Sequence, residues 1–97
     1  MIKLEYSSAA MSDIVRLVDF LMDVDLAAAL NTFDIINDGL QLLKRHPAVG
    51  RVVIAGGSRE LVISRGNTGY VAVYAFDKLT NVVVVLAIKH QRENAFH

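Results

Sequence analysis

Hydrophobic and polar residues follow a strand-like pattern in three stretches of the second half of the chain. Residues 59–64 alternate polar or charged with apolar side chains, residues 70–76 are rich in β-branched and aromatic residues, and residues 82–88 are apolar without interruption. The intervening segments, 65–69 and 77–81, are dense in residues that favour tight turns. Because short loops join neighbouring strands, this pattern predicts a three-stranded antiparallel meander.

The first half of the chain begins with a short strand pattern and continues with a helical one. Residues 1–6 alternate apolar and polar side chains, which predicts a strand with Ile2, Leu4 and Tyr6 on one face. A serine at position 7 or 8 then provides a helix N-cap signal. The helix that follows is predicted to be amphipathic, with an apolar stripe at Ala10, Ile14, Leu17, Val18 and Leu21 and a solvated polar face at Ser12, Asp13, Arg16, Asp19 and Asp23.

A second helical pattern follows the segment 23–25, whose aspartates are predicted to end the first helix and cap the next. Gly39 lies inside this second helix, where glycine costs about 1 kcal/mol relative to alanine, so it either permits a close approach or is simply tolerated. Pro47 prevents the helix from continuing beyond Lys44 and Arg45. The apolar seam steps by four and three residues, which predicts a helical hairpin that buries Ala29, Phe33, Ile36, Leu40 and Leu43.

These elements predict one α+β domain over residues 1–97. An N-terminal strand and a two-helix hairpin are expected to pack on one face of a mostly antiparallel sheet of three to four strands. Two helices cover only one face of such a sheet, yet the strand 82–88 is apolar on both sides. A second cover is therefore expected, from a partner polypeptide, a second copy of the chain, or the arm formed by residues 49–57. The apolar residues 52–54 of this segment are predicted to form either a short strand or an extended arm that leads into the meander.

Composition limits the environment and the partners of the chain. The absence of cysteine excludes disulfides and thiolate chemistry, no segment resembles a signal peptide, and the apolar run is far shorter than the roughly 20 residues that span a bilayer. We therefore expect a cytoplasmic protein without a membrane partner. Ten basic and ten acidic residues give zero net charge, which argues against direct DNA binding by the chain alone. The charges are uneven, since residues 1–40 are acidic and residues 41–97 are basic, so the basic half either faces an anionic partner or is merely solvated.

Few residues have the types and spacing that chemistry requires. Arg65 precedes the glycine-containing loop 66–69, but that loop matches no phosphate-binding spacing and is better explained as a hairpin turn. His90 and Arg92 combine an imidazole that titrates near neutrality with a guanidinium that binds oxyanions, which suits general acid–base work on a phosphate. The alternative is that His90 is only a polar residue at the end of a strand. No catalytic triad order, paired metal ligands or dinucleotide fingerprint occurs, so we expect no cofactor and no metal.

The layout of strand, helix, helix and meander resembles the RelE/ParE superfamily of toxin–antitoxin toxins over nearly the whole chain. The resemblance rests on the segments 59–61, 69–74, 83–86 and 90–93, and above all on a Gly-Tyr-x-x-x-Tyr strand followed by an apolar strand and a His-x-Arg ending. It implies a small bacterial toxin that is neutralised by a cognate antitoxin wrapping its surface. Such a partner would also supply the missing cover of the sheet.

The superfamily has two main activities, and this sequence departs from one of them. The resemblance implies that RelE-like members cut mRNA in the ribosome with a cluster of basic residues, whereas Val62, Ser64 and Val71 occupy the corresponding positions here. Loss of charge from a site that must stabilise a phosphoryl transition state costs several kcal/mol, which disfavours a nuclease. ParE-like members, associated with plasmid stabilisation, instead inhibit DNA gyrase by protein contact.

We therefore expect a non-enzymatic, ParE-like gyrase inhibitor. The alternatives are a RelE-like mRNA endonuclease acting on the ribosome and its mRNA, with catalytic residues Arg65, His90 and Arg92, and a binding module without toxicity. The candidate contacts to target or antitoxin are Arg59, Arg65, Tyr70, Tyr74, His90 and Arg92.

Overall fold

The computed structural model describes residues 1–23, 25–54, 57–65 and 68–90, without the side chains of residues 54, 64, 65 and 68. The predictions for Arg92, Gly66 and Asn67 therefore lie outside the described residues, as does the side chain of Arg65. The elements in chain order are β1 (Lys3–Tyr6), α1 (Ser8–Met22), α2 (Leu26–Gln41), a short 3₁₀ helix (Leu42–Lys44), β2 (Arg51–Ile54), β3 (Ser58–Arg65), β4 (Thr68–Asp77) and β5 (Val82–His90).

The strands form one sheet in the order β1-β5-β4-β3-β2, in which only β1 and β5 run parallel. The predicted α+β class and the meander β3-β4-β5 are confirmed. The sheet has five strands instead of three or four, because the N-terminal strand joins the edge beside β5 and the arm forms β2. Residues 51–54 of the arm therefore extend the sheet in its own plane, and the alternative in which they cover the second face is wrong.

Both helices begin at the predicted capping residues. The Oγ atom of Ser7 accepts a hydrogen bond from the amide of Ala10 at 3.0 Å, which makes Ser7, and not its neighbour, the N-cap of α1. The Oδ1 atom of Asp25 accepts from the amide of Ala28 at 3.2 Å and caps α2. Each cap satisfies an amide that the first turn of a helix leaves without an intrahelical partner.

The buried face of α2 differs from the predicted seam at one large residue. The side chain of Phe33 is 49% exposed, whereas Thr32 and Ile35 are buried. The prediction of a buried Phe33 is wrong because α2 packs on β3 as well as on α1, which turns the Ile35–Gly39 side of the helix inward. A Cβ added at Gly39 would lie 2.7 Å from Cγ1 of Ile63, so this glycine permits a close helix–sheet approach.

The first residues of α1 complete the edge of β5 beyond the end of β1. Strand β1 ends at Tyr6, which pairs with Val85 of β5. Just beyond this point β5 contains a bulge at Leu86, since Val73 and Tyr74 of β4 pair with Ala87 and Val85. The Ser7 hydroxyl donates to the carbonyl of Leu86 at 3.0 Å.

Asp13 takes part in the same edge. Its Oδ2 atom accepts a hydrogen bond from the amide of Ile88 at 2.9 Å. The prediction that Asp13 is merely solvated is wrong, because its carboxylate satisfies a strand amide that no neighbouring strand reaches.

The helices lie on one side of the sheet, and no other described helix or strand covers the opposite side. Core residues of β4 and β5 pack against α1 and α2, and they include Ala72, Tyr74, Val83, Val85 and Ile88. Strand alternation directs the intervening residues to the opposite side, here called the open face. Its central residues are Val71, Val73, Ala75, Val82 and Val84.

Candidate functional site

The two tyrosines of the recognised strand motif lie in the core. The Tyr74 side chain is 0% exposed, and its hydroxyl accepts the amide N–H of Gly50 at 2.8 Å. The Tyr70 hydroxyl donates to Oγ1 of Thr32 in α2 at 3.1 Å, and its ring is also buried. Both are predicted contact candidates, but in this structure each ring connects β4 to a neighbouring element and neither is accessible to a partner.

Arg59, another contact candidate, holds the segment that leads into β2. Its Nη1 atom donates to the carbonyl of Gly50 at 2.8 Å and to that of Ala48 at 3.2 Å. A Cβ added at Gly50 would lie 2.7 Å from the hydroxyl of Tyr74, which explains the glycine. Arg59 and Tyr74, which pair across β3 and β4, therefore fix this segment from two directions.

The residues predicted for a nuclease site are brought together only in part. His90 is half-buried, and its ring meets that of Tyr70 edge to face, with centroids 5.3 Å apart and an interplanar angle of 87°. Arg65 pairs with Thr68 at the end of β3, so its backbone lies at the same end of the sheet as His90. The third residue, Arg92, lies outside the described part of the chain.

The positions where the resemblance implies basic residues form one apolar corner of the open face. Val62 of β3 pairs with Val71 of β4, which in turn pairs with Lys89 of β5. Val62 is 57% exposed and Val71 only 7% exposed, while Lys89 is exposed. We call these three residues the valine–lysine corner. Ser64, the third of these positions, pairs with Gly69 of β4. Among the described side chains, Lys89 is therefore the only cation of this corner.

Lys89 belongs to the cationic run that ends the third predicted strand, but it is not among the contact candidates predicted from the sequence. The sequence shows a lysine at the end of an apolar strand, but which residues lie beside Lys89 depends on the bulge in β5. That bulge changes which face each later residue of β5 occupies, and the pattern of a continuous apolar run does not reveal it.

The outer side of the helical hairpin carries a second uncovered apolar surface. Residues at helical spacing on both helices are exposed, and they comprise Met11, Val15 and Met22 on α1 with Leu26, Leu30 and Phe33 on α2. We call them the hairpin strip. At one end of it, Met11 and Phe33 share a groove of about 230 Å³ with Tyr6, Ile14, Ile36, Asn37 and Leu40. Burial raises the pKa of the Tyr6 phenol above its ordinary value of 10.0.

Neither a membrane-spanning helix nor a cluster of metal ligands occurs among the described residues. No helix among them is long and apolar enough to cross a membrane. No group of three or more histidine, aspartate or glutamate side chains in this part of the chain is arranged to hold a metal ion.

The chain is similar to toxins of bacterial toxin–antitoxin systems. The family model described as "ParE toxin of type II toxin-antitoxin system, parDE" matches residues 4–95. The structure also matches a chain of the chromosomal ParDE system from P. aeruginosa, with a TM-score of 0.76 and 19% identity over 93% of this chain and 96% of that one.

Two RelBE toxin–antitoxin complexes also match. The RelBE2 complex from Mycobacterium tuberculosis gives a TM-score of 0.62 and 24% identity over 93% of this chain and 98% of that one. The intact E. coli RelBE complex gives a TM-score of 0.67 and 13% identity over 91% and 94%. These structural likenesses support the fold. The comparison with curated proteins gave no match.

Proposed function

Because the chain belongs to the ParE toxin family of type II toxin–antitoxin systems, we propose that it inhibits DNA gyrase by direct protein contact and that a cognate antitoxin neutralises it. Membership of the family makes the chain a ParE-type toxin, and the similar solved structures are those of toxin–antitoxin systems. The proposal adds the molecular target, the mode of action and the surfaces that are used.

The valine–lysine corner is the observation that carries the choice of gyrase inhibition over RNA cleavage. A nuclease must stabilise the extra negative charge of a phosphoryl transition state, and preorganised cations do so most effectively. In the described structure the corner offers Lys89 beside two valines. Valine side chains contribute nothing to an oxyanion, whereas they suit contact with another protein.

The hairpin strip supports an antitoxin as the second partner. The strip extends along α1 from Met11 to Met22, which is about 16 Å at 1.5 Å per residue. It presents apolar side chains from two antiparallel helices, and such a surface accepts the apolar face of an amphipathic helix. We assign the strip to an antitoxin helix, with the remaining antitoxin chain wrapping the toxin. Met11 and Met22 lie at the two ends of the part of the hairpin strip that α1 contributes, and methionine side chains adapt readily to a partner's shape.

The decisive experiment measures both family activities on the same protein. The toxin is purified from its complex with antitoxin, then assayed for inhibition of gyrase supercoiling and for cleavage of mRNA on translating ribosomes. We expect inhibition of supercoiling, its reversal by added antitoxin, and intact mRNA. His90→Ala serves as the diagnostic variant, since a general acid or base contributes about 10²- to 10⁴-fold to a rate.

Each alternative gives a different result in this experiment. Ribosome-dependent cleavage that His90→Ala and Arg92→Ala abolish would establish the RelE-like activity and refute the proposal. A folded protein that neither inhibits gyrase nor cleaves mRNA, and that does not arrest growth, would instead be a binding module without toxicity.

A further inference from the structure

We infer that the valine–lysine corner is the surface through which the toxin contacts its target, and that the target presents a carboxylate beside apolar side chains. The inference rests on the proposed function, in which the target is a protein, and it deepens that function by naming the contact surface and its chemistry. It assigns a contact role to Val62 and Lys89, whereas Tyr70, Tyr74 and Arg59 serve the fold.

Charge on the open face favours a protein over a nucleic acid. Binding to a phosphate backbone requires several cations that are not opposed by carboxylates. Among the described residues, strand alternation and register place equal numbers of cationic and anionic residues on this face, namely Lys3, Arg51 and Lys89 against Glu5, Glu60 and Asp77. A neutral face with an apolar centre and charged edges has the composition of a protein-binding surface.

Within this face the acidic side chains are already engaged. Glu60 accepts from Arg51 at 3.0 Å, and Glu5 lies 3.7 Å from the Nζ atom of Lys3. The Oδ1 atom of Asp77 accepts from the amide of Leu79 at 2.9 Å.

Lys89 is different, because its ammonium group is exposed and forms no ion pair with any described residue. An unpaired cation is complementary to a partner's carboxylate, and the exposed Val62 in the same row is complementary to an apolar side chain beside it.

The target and the antitoxin therefore use surfaces of different character. The hairpin strip is apolar throughout, as in interfaces that remain assembled, whereas the corner combines apolar and charged groups, as in interfaces that form and dissociate. The two surfaces lie on opposite sides of the sheet, so at the corner the target, and not the antitoxin that the resemblance suggests, covers the open face. Most of the affinity for the antitoxin should come from the strip, so one substitution at the corner can separate the two binding events.

The test compares Lys89→Glu with Lys78→Glu, which makes the same charge change at an exposed lysine in the β4–β5 turn, away from the corner. Purified gyrase is the binding partner, and supercoiling inhibition and binding are measured at low and at physiological salt. We expect Lys78→Glu to match the wild type and Lys89→Glu to bind at least about tenfold more weakly. The affinity of the wild type should fall with salt, and this dependence should be largely lost in Lys89→Glu.

A second variant guards against a folding defect at the end of β5. Val62→Glu places a carboxylate in the row of Lys89 without altering that strand, so it should neutralise the lysine and weaken gyrase binding to a similar degree. Circular dichroism and thermal unfolding confirm that each variant is folded. Both corner variants should retain antitoxin affinity within about twofold, because the strip is unchanged.

The outcomes separate this inference from the proposed function. If folded Lys89→Glu and Val62→Glu inhibit gyrase as well as the wild type, the corner is not the contact surface. A parallel loss of antitoxin binding, or a change of oligomeric state in size-exclusion chromatography, would assign the corner to the antitoxin or to a second copy and would overturn the inference.

If the wild type does not inhibit gyrase, the proposed function fails, and growth arrest without antitoxin then tests the corner alone. Arrest that is lost in Lys89→Glu and kept in Lys78→Glu supports a different protein target at the same surface. Arrest that persists in both variants refutes the corner.

Discussion

Replacement of Tyr74 by phenylalanine should destabilise the fold through one hydrogen bond. The Tyr74 hydroxyl accepts the buried amide N–H of Gly50 at 2.8 Å, and phenylalanine keeps the ring while removing the acceptor. The substitution leaves no large cavity, so the cost is that of a buried donor without a partner, about 1–3 kcal/mol. The Arg59 bond to the carbonyl of Gly50 remains, which keeps the segment in place.

Tyr70→Phe is the matched control, because it removes a hydroxyl from the same strand at another buried site. The Tyr70 hydroxyl donates to Oγ1 of Thr32, and that threonine can still donate to a carbonyl in the preceding turn of α2. We therefore expect a smaller loss, about 0.5–1.5 kcal/mol.

Urea unfolding of the two variants and the wild type measures the difference. With a denaturant slope of about 1–3 kcal/mol/M, the midpoint of Tyr74→Phe should fall by roughly 1 M. Equal slopes would show that the native and unfolded states keep their compactness. If Tyr74→Phe loses less than Tyr70→Phe, or less than about 0.5 kcal/mol, the bond to Gly50 does not fix the entry to β2.

Three other predictions concern the hairpin strip, the helix–sheet contact and pH. Leu30→Glu should weaken antitoxin binding by about 2–4 kcal/mol in calorimetry, because it places a charge in an apolar interface, while Leu79→Glu in the β4–β5 turn should leave it unchanged. Gly39→Ala should lower the urea midpoint, since about 1–3 kcal/mol of overpacking against Ile63 outweighs about 1 kcal/mol of helix propensity; a stabilised variant would contradict the close approach. Burial raises the pKa of Tyr6 in the folded state, so the stability that this group contributes should be retained below its unfolded pKa near 10 and decline as pH rises through the folded pKa. In thermal unfolding measured from pH 8 to 11, Tyr6→Phe should reduce that decline.

Local signals in the sequence identify most of the elements, because local physics determines them. Ser7 and Asp25 are capping residues that satisfy amides three residues away. The strands of the meander show either an alternation of polar and apolar residues or a β-branched and apolar composition, and neither signal depends on the neighbouring strands. Such features depend on a few adjacent residues, so the sequence predicts them well.

Features that depend on tertiary contacts could not be predicted in this way. Phe33 has the spacing of a core residue, but the orientation of α2 is set by its contact with β3, which leaves the ring half-exposed. Asp13 has the sequence context of a solvated helical carboxylate, and its bond to the amide of Ile88 joins residues that are 75 positions apart in the chain. Tyr70 and Tyr74 carry a family motif whose position in the core is visible only when α2 and the β2 segment are in place.

The candidate surface was predicted in part. Val62 and Val71 were identified as sites where basic residues are missing, and their register now places them side by side. Lys89 was missed because the bulge at Leu86 determines on which side of the sheet it lies.

The pairing of β1 with β5 makes the order of synthesis important for this toxin. The first strand finds its sheet partner only when the last strand has left the ribosome, and Ser7 and Asp13 bond to residues that lie 79 and 75 positions later. Contacts of such long sequence separation form late, because their loop-closure entropy must be overcome first. We expect nascent chains that end before residue 82 to lack both the finished sheet and the valine–lysine corner. Interrupted translation would then release fragments that are open to proteolysis and have no toxic surface.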